Sequence, residues 1–153
     1  MCFQWNGVDF STPNPQRELG AQHGQSLLNV AAFRDPTAYR MQIKQPGSEA
    51  QFISSAIPWD VTEFALSADG RRGAFATNED GFSRVYLLNT RSKRYTLVSN
   101  MPAGVISRLR FNQDNQGLAM TMSTAQTPSD VFVMELGQSP EEARALRRWT
   151  SSE

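Results

Sequence analysis

The sequence predicts an all-β chain, and three observations carry this prediction. Its 153 residues contain short apolar runs separated by turn residues, instead of the longer amphipathic segments that are typical of helices. The runs recur at a spacing of about 45 residues, and the clearest unit contains four of them. Nine Phe, three Trp and three Tyr supply large side chains for a core, which argues against a disordered chain.

Residues 1–25 are predicted to form an irregular leader. Pro13 and Pro15 lie close together there, and each proline lacks an amide donor and restricts the residue before it. The following segment, residues 26–59, is the loosest of three repeats. Its apolar runs cover residues 27–33, 38–43 and 51–53.

Residues 60–104 form the clearest repeat. Between its first two runs lies Asp69-Gly70, a pair that tolerates the backbone conformations of a tight strand reversal. Further turn signals cover residues 78–81 and 90–94. The unit is therefore predicted to be a four-stranded antiparallel sheet, with strands over residues 61–66, 73–77, 84–88 and 95–98.

Residues 105–153 repeat the same pattern. Asp69-Gly70 aligns with Asp114-Asn115 at a spacing of 45 residues, and the run at Ser83 aligns with the run at Ser129 at a spacing of 46. This predicts a further sheet of the same kind.

The end of this repeat carries a mixed signal. Ser139-Pro140-Glu141-Glu142 combines a capping residue, a proline and early acidic residues, which favours a helix start. We expect at most a helical turn over residues 140–145, followed by a last strand over residues 147–150.

The repeat length predicts a β-propeller. A period near 45 residues with four short strands per unit is typical of propeller blades, and each blade needs a neighbour to cover its faces. About three repeats are fewer than the roughly 4–8 blades of a closed ring. We therefore expect an incomplete β-propeller of about three four-stranded antiparallel blades. Because an uncovered blade face exposes apolar area, we also expect self-association through the terminal blades.

The composition excludes several classes of function. Lys and Arg number 15, as do Asp and Glu, so the chain lacks the positive field that binding to nucleic acid or a membrane surface requires. Basic clusters at residues 71–72, 91–94 and 144–148 lie in or beside predicted turns and are interpreted as solvated charges. The sequence shows neither a signal peptide nor a transmembrane run, so a cytoplasmic location is expected, with no nucleic-acid or membrane partner.

No catalytic, cofactor-binding or metal-ligating residue is assigned, and no cofactor is expected. The G-x-S-x-G turn of serine hydrolases is absent. The chain has one histidine, His23, and one cysteine, Cys2, which leaves too few groups for a catalytic triad or a Cys-rich zinc site.

Two weaker patterns also fail as functional sites. A calcium-loop alignment that starts at Ala76 puts Leu87 where a glutamate ligand is required, so Asn78 and Asp80 are interpreted as part of an Asx-type turn. The paired carboxylates Glu141-Glu142 are adjacent in sequence and do not converge on one substrate. They are assigned to the helix start described above.

The two better repeats contain four characteristic strings. They are residues 66–88, which begin Leu66-Ser-Ala-Asp-Gly and end Val85-Tyr-Leu-Leu, residues 101–111, which begin Met101-Pro-Ala-Gly, Thr127-Pro-Ser-Asp-Val-Phe-Val-Met-Glu-Leu, and Arg148-Trp-Thr-Ser-Ser-Glu. These strings resemble the propeller of the prolyl-oligopeptidase (S9) family of serine peptidases. The dipeptidyl aminopeptidase/acylaminoacyl peptidase branch is the most similar. The resemblance covers residues 60–153 well and residues 25–59 loosely, and part of it is shared with TolB-like propellers.

This resemblance implies a two-domain parent peptidase. Its α/β-hydrolase domain would carry the Ser, Asp and His residues, and its propeller would gate the access of peptide substrates. On this hypothesis the chain is a non-catalytic propeller segment whose partners are the hydrolase domain and the peptides, and it does not hydrolyse peptides by itself. The alternative is an independent TolB- or WD-like propeller module for protein–protein interaction.

Overall fold

The computed structural model describes residues 19–20, 29–35, 38–44, 49 and 51–152. Every helix or strand in these residues is a β-strand, and the strands form three four-stranded sheets, which confirms the all-β prediction. No helix in this part of the chain is long and apolar enough to cross a membrane.

The chain divides into two compact units, Met1–Val61 and Thr62–Glu153. The first unit contains sheet 1, whose strands β1 to β4 follow chain order. Its main hairpin pairs β2 with β3 without a register shift. The strand β1 falls inside the predicted leader, and the other leader residues lie outside the described part of the chain. The strands are β1 (Leu19–Gly20), β2 (Asn29–Asp35), β3 (Ala38–Lys44) and β4 (Gln51–Phe52).

Sheet 2 is an antiparallel meander of four strands, also in chain order. The turn between its second and third strands contains Asp80 and Gly81, whose φ angles are 50° and 87°. The Asn78 side-chain oxygen accepts the Gly81 N–H at 3.0 Å, which confirms the Asx-type interpretation. The strands are β5 (Val61–Leu66), β6 (Arg72–Glu79), β7 (Phe82–Asn89) and β8 (Arg94–Leu97).

Sheet 3 repeats this meander with strands β9 (Gly104–Phe111), β10 (Gly117–Thr124), β11 (Asp130–Leu136) and β12 (Ala143–Arg148). The β9–β10 register shifts between Ala119 and Thr121, where the chain forms a bulge. At the start of β9, a Cβ atom on Gly104 would overlap the backbone carbonyl of Ser123. The close approach of the two strands therefore requires glycine at this position.

The last strand corrects two sequence-based predictions. Residues 139–142 form a single turn, in which the Glu142 N–H donates to the Ser139 carbonyl at 3.1 Å. The helical turn predicted over residues 140–145 is wrong from Ala143 onward, because residues 143–148 pair with β11. The predicted strand over 147–150 is therefore placed too late. Ladder hydrogen bonds outweigh the local helix-start signal here.

Sheets 2 and 3 contain turns with the same hydrogen bonds at the predicted spacing of 45 residues. The turns over residues 67–72 and 112–117 are each closed by a first-to-last backbone hydrogen bond of 2.9 Å. In each turn a side-chain oxygen of the first residue accepts the N–H of the last, at 2.9 and 2.8 Å. Gly70 and Asn115 have left-handed φ angles of 69° and 60°. The alignment of Asp69-Gly70 with Asp114-Asn115 is thus confirmed.

The core of the second unit lies between sheets 2 and 3. Alternate residues of a strand point to opposite faces, so each sheet contributes one complete face to this core. Burying a side chain of the size of Leu or Met contributes about 1.5–3 kcal/mol. The main core residues are Ala74, Ala76, Val85 and Leu87 from sheet 2, and Ile106, Leu109, Leu118, Met120, Met122, Phe132, Met134 and Leu136 from sheet 3.

Candidate functional site

The interface between sheets 2 and 3, which we call the seam, is joined by polar contacts as well as by the core. The Ile106 N–H donates to the Ser83 hydroxyl oxygen at 2.9 Å, and this contact is buried. The Asn115 side-chain oxygen accepts the Ala68 N–H at 2.8 Å. Asn115 therefore adopts the turn conformation that glycine has in sheet 2, and it also links the two sheets.

Arg72 forms the most extensive polar contact across the seam. One terminal nitrogen of its guanidinium donates to the carbonyls of Gly137 and Gln138 at 2.6 and 3.2 Å, and the other donates to the Ser139 carbonyl at 3.1 Å. The Arg72 side chain thus holds the β11–β12 turn against sheet 2. Its interpretation as a solvated turn charge is wrong, whereas its neighbour Arg71 is exposed.

Asp130 is a carboxylate with no exposed surface. One oxygen accepts hydrogen bonds from the Thr150 hydroxyl at 3.0 Å and from the Ser152 N–H and hydroxyl at 2.8 and 3.0 Å. Arg148 contacts the other oxygen. Burial alone would raise the pKa of Asp130, but the hydrogen bonds from Ser152 and Thr150 and the charge of Arg148 outweigh it and lower that pKa below its ordinary value. The cluster fastens the segment after β12 to the start of β11.

The other face of sheet 2 carries an aromatic cluster. The rings of Phe75 and Tyr86 stack with centroids 4.9 Å apart, and Tyr95 meets both edge-on. The Tyr86 hydroxyl donates to the Glu79 carboxylate at 3.0 Å. Burial, and then this carboxylate, raise the pKa of Tyr86 to about 12. The phenol therefore serves as a neutral hydrogen-bond donor.

A cleft of about 300 Å³, which we call the seam groove, lies where β8 faces β12. Val98, Met101 and Leu146 pack against the core beneath it, and the side chain of Leu97 is 47% exposed. The groove can therefore accept an apolar side chain. Its lining is formed by residues 96–101, Met134 and residues 141–146.

The rim of the seam groove carries charged side chains. Glu142 forms an ion pair with Arg144 at 3.4 Å, and both side chains are about half exposed. The Glu141 carboxylate accepts hydrogen bonds from the Ser92 and Ser139 hydroxyls, each at 3.4 Å. The predicted helix-start carboxylates thus lie at the edge of a groove, a placement that adjacency in sequence could not indicate.

The remaining candidate residues are dispersed. His23 and Cys2 lie outside the described residues. Ala76 and Leu87, which the calcium-loop alignment would use, are fully buried in the core. Residues 49 and 51–152 show no group of three or more His, Cys, Asp or Glu side chains that could hold a metal ion. In this region the polar side chains form surfaces and hydrogen-bonded turns.

No protein-family model and no curated protein matches the chain. Solved structures do match. TolB from Acinetobacter baumannii superposes with a TM-score of 0.61 at 14% identity, over 81% of this chain and 29% of that one. Dipeptidyl peptidase 4 from Porphyromonas gingivalis superposes with a TM-score of 0.57 at 21% sequence identity. The match covers 73% of this chain and 16% of that one. The β-propeller domain of the trilobed protease from Pyrococcus furiosus, which has an open velcro topology, superposes with a TM-score of 0.55 at 17% sequence identity. The match covers 83% of this chain and 40% of that one.

These matches establish the fold. The chain is an incomplete β-propeller of two to three blades, as its repeat predicts. It spans between 16% and 40% of the length of the three matched chains. The matched structures include TolB, a dipeptidyl peptidase and the β-propeller domain of a protease.

Proposed function

We propose that the chain is a non-catalytic propeller segment of an S9-type serine peptidase. The observation that carries the proposal is the pair of consecutive blades joined by the seam, because the strings that resemble S9 propellers lie in these two blades. Two structural neighbours, a dipeptidyl peptidase 4 and a trilobed protease, are consistent with it. The partners of the segment are then an α/β-hydrolase domain and the peptides that this domain cleaves.

In this proposal the blades act through shape. A peptidase that encloses its reactive serine selects substrates by size, because only short or extended chains reach the enclosed site. The hydrogen-bonded seam keeps two blades of such an enclosure in a fixed arrangement. The rigid contacts of Arg72 and Ser83 serve this purpose.

Reading the gene beyond Glu153 is the most direct test. An open reading frame that continues into a G-x-S-x-G region is the expected result. A stop codon followed by unrelated sequence would contradict the peptidase proposal.

A hydrolysis assay is the biochemical test of the non-catalytic role. The purified 153-residue chain, incubated with short aminoacyl and peptidyl p-nitroanilides, is expected to release p-nitroaniline no faster than buffer alone. A heat-denatured sample provides the background. Robust turnover that is lost on heating would show that the chain itself carries a catalytic site.

A second candidate function is an independent interaction module, and the seam groove favours it. An apolar floor with a charged rim is the arrangement of many protein-binding sites. The TolB neighbour is also consistent with this reading. A reading frame that stops after the propeller would favour this candidate over the first.

A further inference from the structure

The face of sheet 3 that points away from the seam is partly exposed and largely uncharged at its centre. The centre of this face is formed by four residues of the two middle strands, which the strand register places side by side: Ala119, Thr121, Val131 and Val133. All four are partly exposed, and Val105 at the edge of the same face is 55% exposed. We call this surface the outer face of sheet 3.

In the repeat, the outer face of sheet 3 corresponds to the face of sheet 2 that packs against sheet 3. At spacings of 45 and 46 residues, its four central positions correspond to the residues by which sheet 2 meets sheet 3 in the core. Those residues are at most 1% exposed. The same flat face of small and β-branched side chains is thus covered in one blade and partly open in the next. The corresponding pairs are Ala74 and Ala119, Ala76 and Thr121, Val85 and Val131, and Leu87 and Val133.

The outer face carries charged side chains of both signs beside its apolar centre. The exposed Arg110 lies on β9 next to Ala119. Arg147 and Glu135 lie beside the apolar centre and form an ion pair at 3.0 Å, with side chains 72% and 49% exposed. In a symmetric dimer each residue of one copy faces the corresponding surface of the other. A face that carries both signs can therefore pair with itself, Arg147 of each copy meeting Glu135 of the other.

We propose that the outer face of sheet 3 binds the same face of a second copy of the chain. The proposal concerns the 153-residue chain by itself, and in a longer chain of the kind proposed above a following blade would compete with the second copy for this face. Strands of eight residues in a four-stranded sheet give a face of about 500 Å², so a dimer buries about 1,000 Å² in total. This area lies at the lower end for specific interfaces. The dimer is therefore weak, with a dissociation constant in the micromolar range or above.

Sedimentation velocity over a concentration range tests the proposal. The wild-type chain is expected to shift from monomer to dimer as its concentration rises from about 1 μM to several hundred μM. Thr121→Arg places two like charges at the centre of the contact and is expected to weaken the dimer at least about tenfold. The matched control is Thr96→Arg, which makes the same change on β8 in the seam groove and is expected to leave the association unchanged. Circular dichroism confirms that each variant folds.

Charge exchange provides a second, independent test. Glu135→Arg and Arg147→Glu are each expected to weaken the dimer, and the double variant E135R/R147E is expected to restore it, because the swapped pair can form again. A wild-type chain that stays monomeric throughout the concentration range would overturn the proposal. A dimer that survives Thr121→Arg but is lost in Thr96→Arg would overturn it as well, since the contact would then lie in the seam groove.

Discussion

Asp130 shows how a single charged residue can be held in an environment that opposes its charge. Its carboxylate has no exposed surface, yet hydrogen bonds from Thr150 and Ser152 and contact with Arg148 keep its pKa below the ordinary value. All three partners lie at the end of β12 or in the residues that follow it. The residue therefore couples the end of the described chain to the start of β11.

The first prediction concerns the pH dependence of this cluster. Because the folded-state pKa of Asp130 is lowered, its contribution to stability is complete above the ordinary pKa near 4 and is lost as the pH falls through the folded-state value. Asp130→Asn is expected to lower the urea midpoint at pH 7 and to reduce its further decline between about pH 5 and pH 2. The exposed Asp80→Asn serves as the control and should keep the wild-type profile. An unchanged acid profile in Asp130→Asn would contradict the assigned role.

At the scale of elements, contacts made by turns join sheets 2 and 3 as much as contacts between their strands do. Arg72, at the start of β6, reaches three consecutive carbonyls in the β11–β12 turn. These carbonyls lie between 65 and 67 residues further along the chain. A planar guanidinium can bond several carbonyls at once, which the single ammonium group of lysine cannot do.

The second prediction tests this contact. Arg72→Lys is expected to destabilise the chain by about 1–2 kcal/mol, because at least one of the three carbonyls, of which the Gly137 contact is partly buried, loses its charged donor. Arg71→Lys is the matched control at an exposed neighbour and should change the free energy of unfolding by less than about 0.5 kcal/mol. Urea denaturation at pH 7 measures both. Equal losses in the two variants would show that the Arg72 contacts contribute nothing specific.

At the scale of the whole second unit, sheets 2 and 3 share one core. Met120 is 1% exposed and belongs to a buried cluster that includes residues of both sheets. A repeat array is stabilised by each unit and by the interface between neighbours, so a strong interface makes adjacent repeats unfold together. The two blades are therefore expected to unfold as one cooperative unit.

The third prediction follows from this shared core. Met120→Ala is expected to lower the free energy of unfolding by about 2–5 kcal/mol. Hydrogen exchange should then become faster in β6 and in β10 to the same extent. Peptides from residues 72–79 and 117–124, followed by mass spectrometry, measure the two strands separately. Leu97→Ala, at a position that is 47% exposed, is the control and should have a much smaller effect. Faster exchange confined to β10 would show that the blades open independently.

The sequence alone determined the blade pattern, because that pattern depends on short-range chemistry. Asp69-Gly70 and Asp114-Asn115 mark turns through conformational preferences of the residues themselves, and apolar alternation over a few residues defines each strand. These signals place β5 at its observed bounds. They were misleading at residues 139–145, where a local helix-start pattern competes with pairing to β11.

Only the tertiary structure decided which polar residues act across the seam. Arg72 resembles its neighbour Arg71 in sequence, and Asp130 gives no local sign of burial. Their partners depend on how two sheets stack and on where the chain leaves β12. The seam groove and the outer face of sheet 3 arise in the same way, because a surface is formed by residues that are distant in sequence. Local chemistry therefore specifies each blade, and the stacking of blades specifies the surfaces through which the protein can act.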